Sequence, residues 1–146
     1  MRKTSLIIAG LLILLLICAC SGQEETSMEP TIIGSVTLVN NVQDTDVWIL
    51  PQTEENLKTT LWGAATAAKV RTGESRSVSL CEPGDDGFYL LRMIDTEGFY
   101  YSANGLFLEA NWTIQIKETD QHSFTADVLN ADGSLVATYE LFSAKL

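Results

Sequence analysis

The sequence predicts an all-β fold, an antiparallel β-sandwich with one short helical segment near residues 53–69. After residue 31, short stretches rich in β-branched and aromatic residues alternate with turn residues such as Gly, Asn and Asp. No long helical pattern separates successive strands, as βαβ units would require. The spacing is typical of a sandwich and predicts about eight strands, at residues 32–41, 46–50, 75–80, 88–95, 99–103, 106–116, 123–130 and 134–142.

The N-terminus carries an export signal. Two basic residues precede an almost unbroken apolar run over residues 6–17, and small residues follow it, which is the layout of a secretory signal peptide. Ile17, Ala19 and Cys20 occupy the aliphatic, small and acylated positions of a motif that resembles the lipobox of bacterial lipoproteins. The resemblance implies cleavage after Ala19 and stable membrane anchoring through a diacylglyceryl group on Cys20.

An uncleaved membrane helix is the alternative for this region. A bilayer core needs roughly 20 apolar residues, and the run extended to Cys20 is only marginally long enough. In either case the basic N-terminus stays inside and the rest of the chain lies outside the cytoplasm. Ser21 replaces the aspartate associated with inner-membrane retention, so we expect the outer membrane if the host has one. The predicted organisation is a signal over 1–19, a polar flexible tether over 20–30 and a β-sandwich domain over 31–146.

Composition excludes some classes of partner. Cleavage leaves 127 of the 146 residues, enough for one domain. The nine basic residues lose Arg2 and Lys3 with the signal, whereas all nineteen acidic residues stay, so the net charge becomes −12. Such a charge opposes nucleic-acid binding and serves solubility, although it also suits cations or basic partners.

The cysteines do not indicate a disulfide framework. If Cys20 is acylated, Cys81 has no partner within the chain. A reactive thiol needs an electropositive setting, and the neighbours of Cys81 include Glu82, Asp85 and Asp86. We therefore interpret Cys81 as structural or incidental.

Two early segments have distinct patterns. Strand 46–50 is apolar on both faces and is therefore predicted to lie centrally in a sheet. Segment 53–69 instead has apolar residues at three- and four-residue spacing, with Thr53 as a capping residue and acidic residues in the first turn. Gly63 interrupts it, so we expect one or two helical turns that cover an edge or end of the sheet.

The later strands are joined by hairpin signals. Residues 95–98 and 131–133 read as short turns, and Gly98 suits a left-handed position. In the predicted strand 106–116, Trp112, Ile114 and Ile116 share one face.

From residue 34 to 116 the order of features resembles a small β-sandwich module of uncharacterised exported bacterial proteins. That pattern comprises a V-x-N strand, an aliphatic-aromatic strand ending near Pro, a Trp-Gly loop, G-E-S, Tyr-x-Leu-Arg and D-x-E/D-G-x-x-Tyr. The matching residues are Val39-Asn40-Asn41, Val47 to Pro51, Trp62-Gly63, Gly73-Glu74-Ser75, Tyr89 to Arg92, Asp95 to Gly98 and Tyr101. The resemblance implies that Tyr89, Leu91 and Met93 face inward. It implies no activity.

Metal-binding candidates are few. His122, the only histidine, sits in a polar turn and reads as a solvated loop residue, which disfavours a histidine-based zinc site. Acidic residues next to turns are the better candidates for Ca²⁺, although neither cluster forms an EF-hand loop. They are Asp85 with Asp86, and Asp44 with Asp46. No metal or other cofactor is predicted.

Aromatic residues are the other binding candidates, because they could line a carbohydrate face. Trp62 falls in a predicted loop, and Tyr100 and Tyr101 point to opposite sides of a strand, so at least one of the two tyrosines is expected to be exposed. Core packing accounts for most of the remaining aromatics. Carboxylate pairs for glycoside hydrolysis cannot be assigned from the sequence.

The sequence therefore predicts a lipid-anchored, extracytoplasmic and non-enzymatic binding or structural module of the cell envelope. Its expected partners are the membrane, through the lipid on Cys20, and an envelope protein or glycan, without nucleic acid. A glycan- or calcium-binding surface lipoprotein is the alternative. A carboxylate-based hydrolase is the third hypothesis.

Overall fold

A computed structural model describes residues 30–59, 68–120 and 123–144. The described residues form one short helix, α1 (Glu54–Lys58), and nine strands. The strands are β1 Ile32–Asn40, β2 Thr45–Pro51, β3 Ala68–Val70, β4 Ser75–Cys81, β5 Tyr89–Asp95, β6 Tyr100–Leu106, β7 Thr113–Asp120, β8 Ser123–Leu129 and β9 Leu135–Ala144. The predicted all-β class with one short helix is confirmed.

The strands form one nearly closed, barrel-like sheet in the order β3-β2-β5-β6-β9-β8-β7-β1-β4. Strand β9 joins its two halves, because its first part pairs with β8 and its last three residues pair with β6. All neighbours are antiparallel except β1 and β7, which are parallel. The expectation of antiparallel pairing throughout is therefore corrected. Parallel partners lie far apart in the chain, and local alternation carries no information about them.

The main core fills the space inside this sheet. Alternate residues of every long strand point inward, which is the expected result of the two-residue period of a strand. Tyr89, Leu91 and Met93 are buried there, as the resemblance implies. Trp48 and Leu90 are buried too, although they lie outside the main core cluster. Strands β2 and β5 thus bury side chains on both faces, in line with the predicted central position of the first of them.

Three local predictions change at the boundaries of elements. Thr53 caps α1 as predicted, since its side chain accepts from the Asn56 amide at 3.1 Å, but the helix ends at Lys58. Residues 68–69, assigned above to the helical segment, belong to β3, where Ala68 pairs with Val47. The predicted strand 106–116 is interrupted between β6 and β7, and in this connection Asn111 adopts a φ of 68°.

We call the end of the sheet at which β1 begins the proximal end, and the opposite end the distal end. The proximal end holds the start of β1, the residues 52–59 that follow β2, and the connections 82–88, 107–112 and 130–134. The distal end holds the β1–β2, β3–β4 and β5–β6 connections, at residues 41–44, 71–74 and 96–99. Residue 98 is the predicted left-handed glycine of the last of these turns, with a φ of 83°.

Candidate functional site

Asn40 holds the distal loops together from inside the sheet. Its side chain is fully buried at the end of β1. The amide nitrogen donates to the carbonyl oxygens of Gln43 and Val70, each at 2.9 Å, and to Thr45 Oγ1 at 3.3 Å. Its side-chain oxygen accepts from the Val42 amide at 3.1 Å. One side chain therefore fixes both the β1–β2 loop and the end of β3.

Asp95 plays the corresponding part at the β5–β6 turn. Its Oδ1 accepts from the backbone amides of Glu97 and Phe99 at 2.9 and 2.8 Å. Its Oδ2 accepts from Gln43 Nε2 at 2.9 Å and from the Tyr101 hydroxyl at 3.3 Å. Burial, together with this neighbouring carboxylate, raises the pKa of Tyr101 to about 12. The turn is thus tied to the β1–β2 loop by a buried polar network.

The β3–β4 turn completes the distal end. Gly73 has a φ of 76°, and its amide donates to the Asn40 carbonyl at 2.6 Å. The Glu74 carboxylate accepts from the Arg71 amide at 2.9 Å and lies 3.5 Å from the Arg76 guanidinium. The Arg71 amide, followed by the charge of Arg76, holds the pKa of Glu74 below its ordinary value. Glu74 is therefore ionised at neutral pH.

These loops enclose an open groove of about 770 Å³. Groups of both charges line it, and Thr45, Val70 and Ile94 lie among them. The acidic side chains include Asp44, Asp46 and Glu74, and the basic ones are Lys69, Arg71 and Arg76. The groove therefore offers hydrogen-bond donors and acceptors with both signs of charge. It is the candidate site for a polar ligand.

The two carboxylate pairs considered for Ca²⁺ lie at opposite ends of the sheet. Asp44 and Asp46 border the distal groove, where Asp44 Oδ1 accepts from the Thr72 amide at 2.8 Å. At the proximal end, Asp86 accepts from the Phe88 amide at 3.0 Å and from Gln52 Nε2 at 2.7 Å. The described residues contain no group of three or more His, Cys, Asp and Glu arranged to hold a metal ion. Asp44 and Asp86 therefore act as turn-stabilising acceptors in this structure.

The two aromatic candidates that the structure describes, Tyr100 and Tyr101, are not exposed as a binding surface. Tyr100 is 6% exposed and Tyr101 is fully buried, so the expectation that at least one would be exposed is wrong. Tyr100 is buried because it lies next to Arg92 on the outer face of β5 and β6, where burial raises the pKa of Tyr100 and the Arg92 charge partly offsets that rise. Trp62, like Cys20 and His122, lies outside the described residues.

Cys81 ends β4 at the proximal end. It is a free, half-buried cysteine, and burial raises the pKa of its thiol. A raised pKa keeps the group protonated and therefore weakly nucleophilic. Its carbonyl oxygen accepts from the Tyr89 hydroxyl at 2.7 Å. These contacts agree with the interpretation of Cys81 as structural or incidental.

Sequence reasoning did not identify the polar network of the distal end. Gln43 and Thr45 belong to no motif, and their partners lie up to 52 residues away along the chain. A signal did exist for Glu74 and Asp95, which are specified residues of the motifs that carry the module resemblance, whereas Asn40 is the unspecified middle residue of the V-x-N motif. Only the strand pairing shows that these three motifs meet at one end of the sheet.

Comparison with known proteins assigns no relative to this chain. No protein-family model matches it, and no curated protein or solved structure is significantly similar to it. Within residues 30–59, 68–120 and 123–144, no helix has the length and apolar character needed to cross a membrane.

Proposed function

We propose that the chain is a lipid-anchored, extracytoplasmic and non-enzymatic binding module of the cell envelope. Its work is to present the distal groove to a polar partner, such as an envelope protein or a glycan. We also propose that the fold is a β-sandwich, in which the two halves of the sheet, joined by β9, face each other across the core.

The observation that carries the proposal is the position of the groove relative to the start of β1. The chain enters the sheet at Ile32, at the proximal end, and the groove lies past Asn40, at the distal end. Nine residues of β1 separate the two ends, which at 3.3 Å per residue is about 30 Å. A chain acylated at Cys20 would therefore hold its groove on the side away from the bilayer.

The groove supports binding better than hydrolysis. Acid catalysis of glycoside cleavage requires a carboxylic acid with a raised pKa that faces a second carboxylate. Glu74 has its pKa lowered, and Asp95 is held by four hydrogen bonds within the turn network. Acceptors fixed by the turns, together with the basic side chains of Lys69, Arg71 and Arg76, instead favour recognition of a polar ligand. The hydrolase remains the third hypothesis.

Ca²⁺ binding is retained as an alternative because of one arrangement. Asp44 directly precedes β2 and Asp46 is its second residue, and both line the groove. They provide carboxylate oxygens, the ligands that Ca²⁺ prefers.

The anchor is tested by comparing the wild type with Cys20→Ser, both expressed with the native signal. We expect an intact mass that matches the chain from residue 20 plus its acyl groups, and wild-type protein in the membrane fraction. The Cys20→Ser variant should appear in the soluble fraction, because its only lipid attachment site is gone. An uncleaved wild type, or identical partitioning of the two proteins, would reject the lipoprotein assignment.

The groove is tested by measuring thermal shifts against a panel of envelope glycans, charged peptides and Ca²⁺. A ligand of the groove should stabilise the wild type and lose this effect in an Arg71→Ala, Arg76→Ala variant. Lys117→Ala is the matched control, because Lys117 lies on β7 away from the groove. Equal shifts in the variant and the control would place the binding elsewhere.

A further inference from the structure

Exposed apolar side chains are concentrated at the proximal end. Scattered apolar residues are ordinary on protein surfaces, whereas a concentration of them indicates an interaction site. Phe142 lies toward the distal end, but every other large apolar side chain found exposed in the described residues lies at the proximal end. They are Ile32, Ile33, Leu57, Phe88, Phe107, Leu135 and Val136.

Local structure explains why these side chains project outward. The β1–β4 register shifts between Ile32 and Gly34, and this irregularity leaves Ile32 63% and Ile33 46% exposed. Phe88 and Phe107 directly flank the paired residues Tyr89 and Leu106, so their backbones leave neighbouring strands side by side. The apolar groups are therefore positioned by the edge of the sheet.

Further contacts hold the edge of this surface in place. The Phe107 ring packs edge-on against Trp112, with 5.6 Å between the ring centroids. The Phe107 amide donates to the Tyr139 hydroxyl at 3.2 Å. A preformed surface loses less conformational entropy on contact than a mobile loop does.

The chain outside the described domain begins at the same end. The carbonyl oxygen of Thr31, next to β1, accepts a hydrogen bond from the Glu82 amide at 2.9 Å. This bond holds the residue before β1 against the start of the β4–β5 loop. The sequence predicts a flexible tether over residues 20–30, and a flexible chain of that length would have a mean end-to-end distance of about 18 Å. An anchor at Cys20 would therefore keep the proximal end close to the bilayer.

We propose that the proximal end lies against the lipid surface that holds the acylated Cys20, with Ile32, Ile33, Phe88 and Phe107 among the headgroups. This inference rests on the proposed lipid anchoring. The tether raises the effective concentration of the lipid surface to the order of millimolar or above, so a weak apolar contact is sufficient. The contact orients the domain and keeps the distal groove facing away from the membrane.

Charge determines which lipids favour the contact. Carboxylates outnumber basic groups at the proximal end, where Lys58 lies among Glu54, Glu55, Glu82, Asp85, Asp86, Glu109 and Asp132. Anionic headgroups should therefore weaken the contact at low salt, and added salt should restore it. The same acidity disfavours pairing of two proximal ends in a dimer.

The test uses full-length acylated protein in phosphatidylcholine vesicles that contain a lipid with a quencher near its headgroup. Cys81→Ser provides the background, and a fluorophore is attached at Ser134→Cys on the proximal end or at Thr96→Cys on the distal end. Both positions are exposed. We expect the Ser134 label to be quenched roughly threefold or more above the Thr96 label. Phosphatidylglycerol at low salt should reduce this difference.

A second pair of variants tests the apolar side chains themselves. Phe88→Ser with Phe107→Ser should reduce the quenching at position 134, whereas Phe142→Ser, a comparable change toward the distal end, should not. Equal, weak quenching at both labels on vesicle-bound protein would overturn this inference and leave the lipid anchor intact. If the labels at position 134 of two protein copies lie close together and are not quenched by lipid, the proximal end pairs with a second copy, and the membrane-contact inference is overturned in favour of a dimer. If wild-type protein does not bind vesicles, the anchor and this inference both fail.

Discussion

At each end of the sheet, individual polar side chains hold the loops in place through hydrogen bonds. At the distal end these are Asn40 and Asp95, and at the proximal end it is Gln52. The backbone N–H of Gln52 donates to the Phe88 carbonyl at 2.9 Å, and the side-chain oxygen of Gln52 accepts from the backbone N–H of Gly105 at 2.7 Å. Gly84 packs so closely on Gln52 that a Cβ atom there would lie 2.0 Å from the Gln52 carbonyl oxygen. Buried polar groups with satisfied hydrogen bonds fix loop geometry because leaving them unsatisfied is costly.

The pKa of Tyr101 leads to a prediction at this scale. Its ordinary value is 10, and burial beside Asp95 raises it to about 12 in the folded protein. Below pH 10 the contribution to stability is fully present. As the pH rises from 10 to 12 the unfolded chain loses the proton first, so the free energy of unfolding falls, by about 2 kcal/mol for this group.

Urea denaturation of the wild type and Tyr101→Phe over pH 8–12 measures this effect. The variant lacks the titrating hydroxyl, so its stability should fall less steeply in that window. Burial also raises the pKa values of Tyr89 and Tyr100, but both proteins retain those groups and the difference between the curves isolates Tyr101. Parallel curves would contradict the assignment.

At the scale of elements, β9 is the strand on which closure of the sheet depends. Residues up to Leu141 pair with β8, and Phe142, Ser143 and Ala144 pair with Ser102, Tyr101 and Tyr100 of β6. Neighbouring strands β7, β8 and β9 are also linked on their outer face by Asp127, which accepts from Lys117 Nζ at 2.6 Å and from Thr138 Oγ1 at 2.7 Å. The two halves of the sheet are therefore connected through one strand.

A chain that ends at Leu141 should lose the β6–β9 pairing. We expect its free energy of unfolding to fall by about 2–4 kcal/mol, since several backbone hydrogen bonds are lost and the edge of β6 is exposed. The measurement is the midpoint and slope of urea denaturation. Phe142→Ser is the control: that side chain is 68% exposed, so its removal should change stability by less than about 0.5 kcal/mol. Equal losses in both proteins would show that the backbone pairing is not responsible.

At the scale of the whole molecule, the excess of negative charge is the dominant electrostatic feature. The chain from residue 20 carries a net charge of −12, and few ion pairs offset it among the described residues, where Lys58–Glu54, Arg76–Glu74 and Lys117–Asp127 are found. Net self-repulsion destabilises a compact state. Because dissolved ions screen this repulsion, comparing the effects of different cations on stability can separate general screening from specific Ca²⁺ binding.

Screening should therefore stabilise the protein. We expect the free energy of unfolding to rise by about 1 kcal/mol between 20 mM and 0.5 M NaCl, as measured by urea denaturation. At equal millimolar concentration, Ca²⁺ and Mg²⁺ should act alike if they only screen charge. A distinctly larger effect of Ca²⁺, lost in Asp46→Asn, would instead support a calcium site at the groove. Stability that falls with salt would contradict net repulsion.

The sequence by itself determined the all-β class, the approximate positions of the longer strands, the cap of α1 and the turn at Gly98. Each of these follows from residues that are close together in the chain, through the two-residue period of strands, helix-capping chemistry or the left-handed preference of glycine. Strand β3 was missed because it has only three residues and continues an alanine-rich stretch with helical spacing.

Only the tertiary structure decided how the strands pair and what their side chains meet. The parallel contact of β1 with β7, the burial of both Tyr100 and Tyr101, and the meeting of Asn40, Glu74 and Asp95 at one end all join residues that are distant in sequence. Local patterns set the type of an element, whereas the cooperative packing of a closed sheet sets its neighbours. The groove and the apolar proximal end exist only because that packing brings separate loops together.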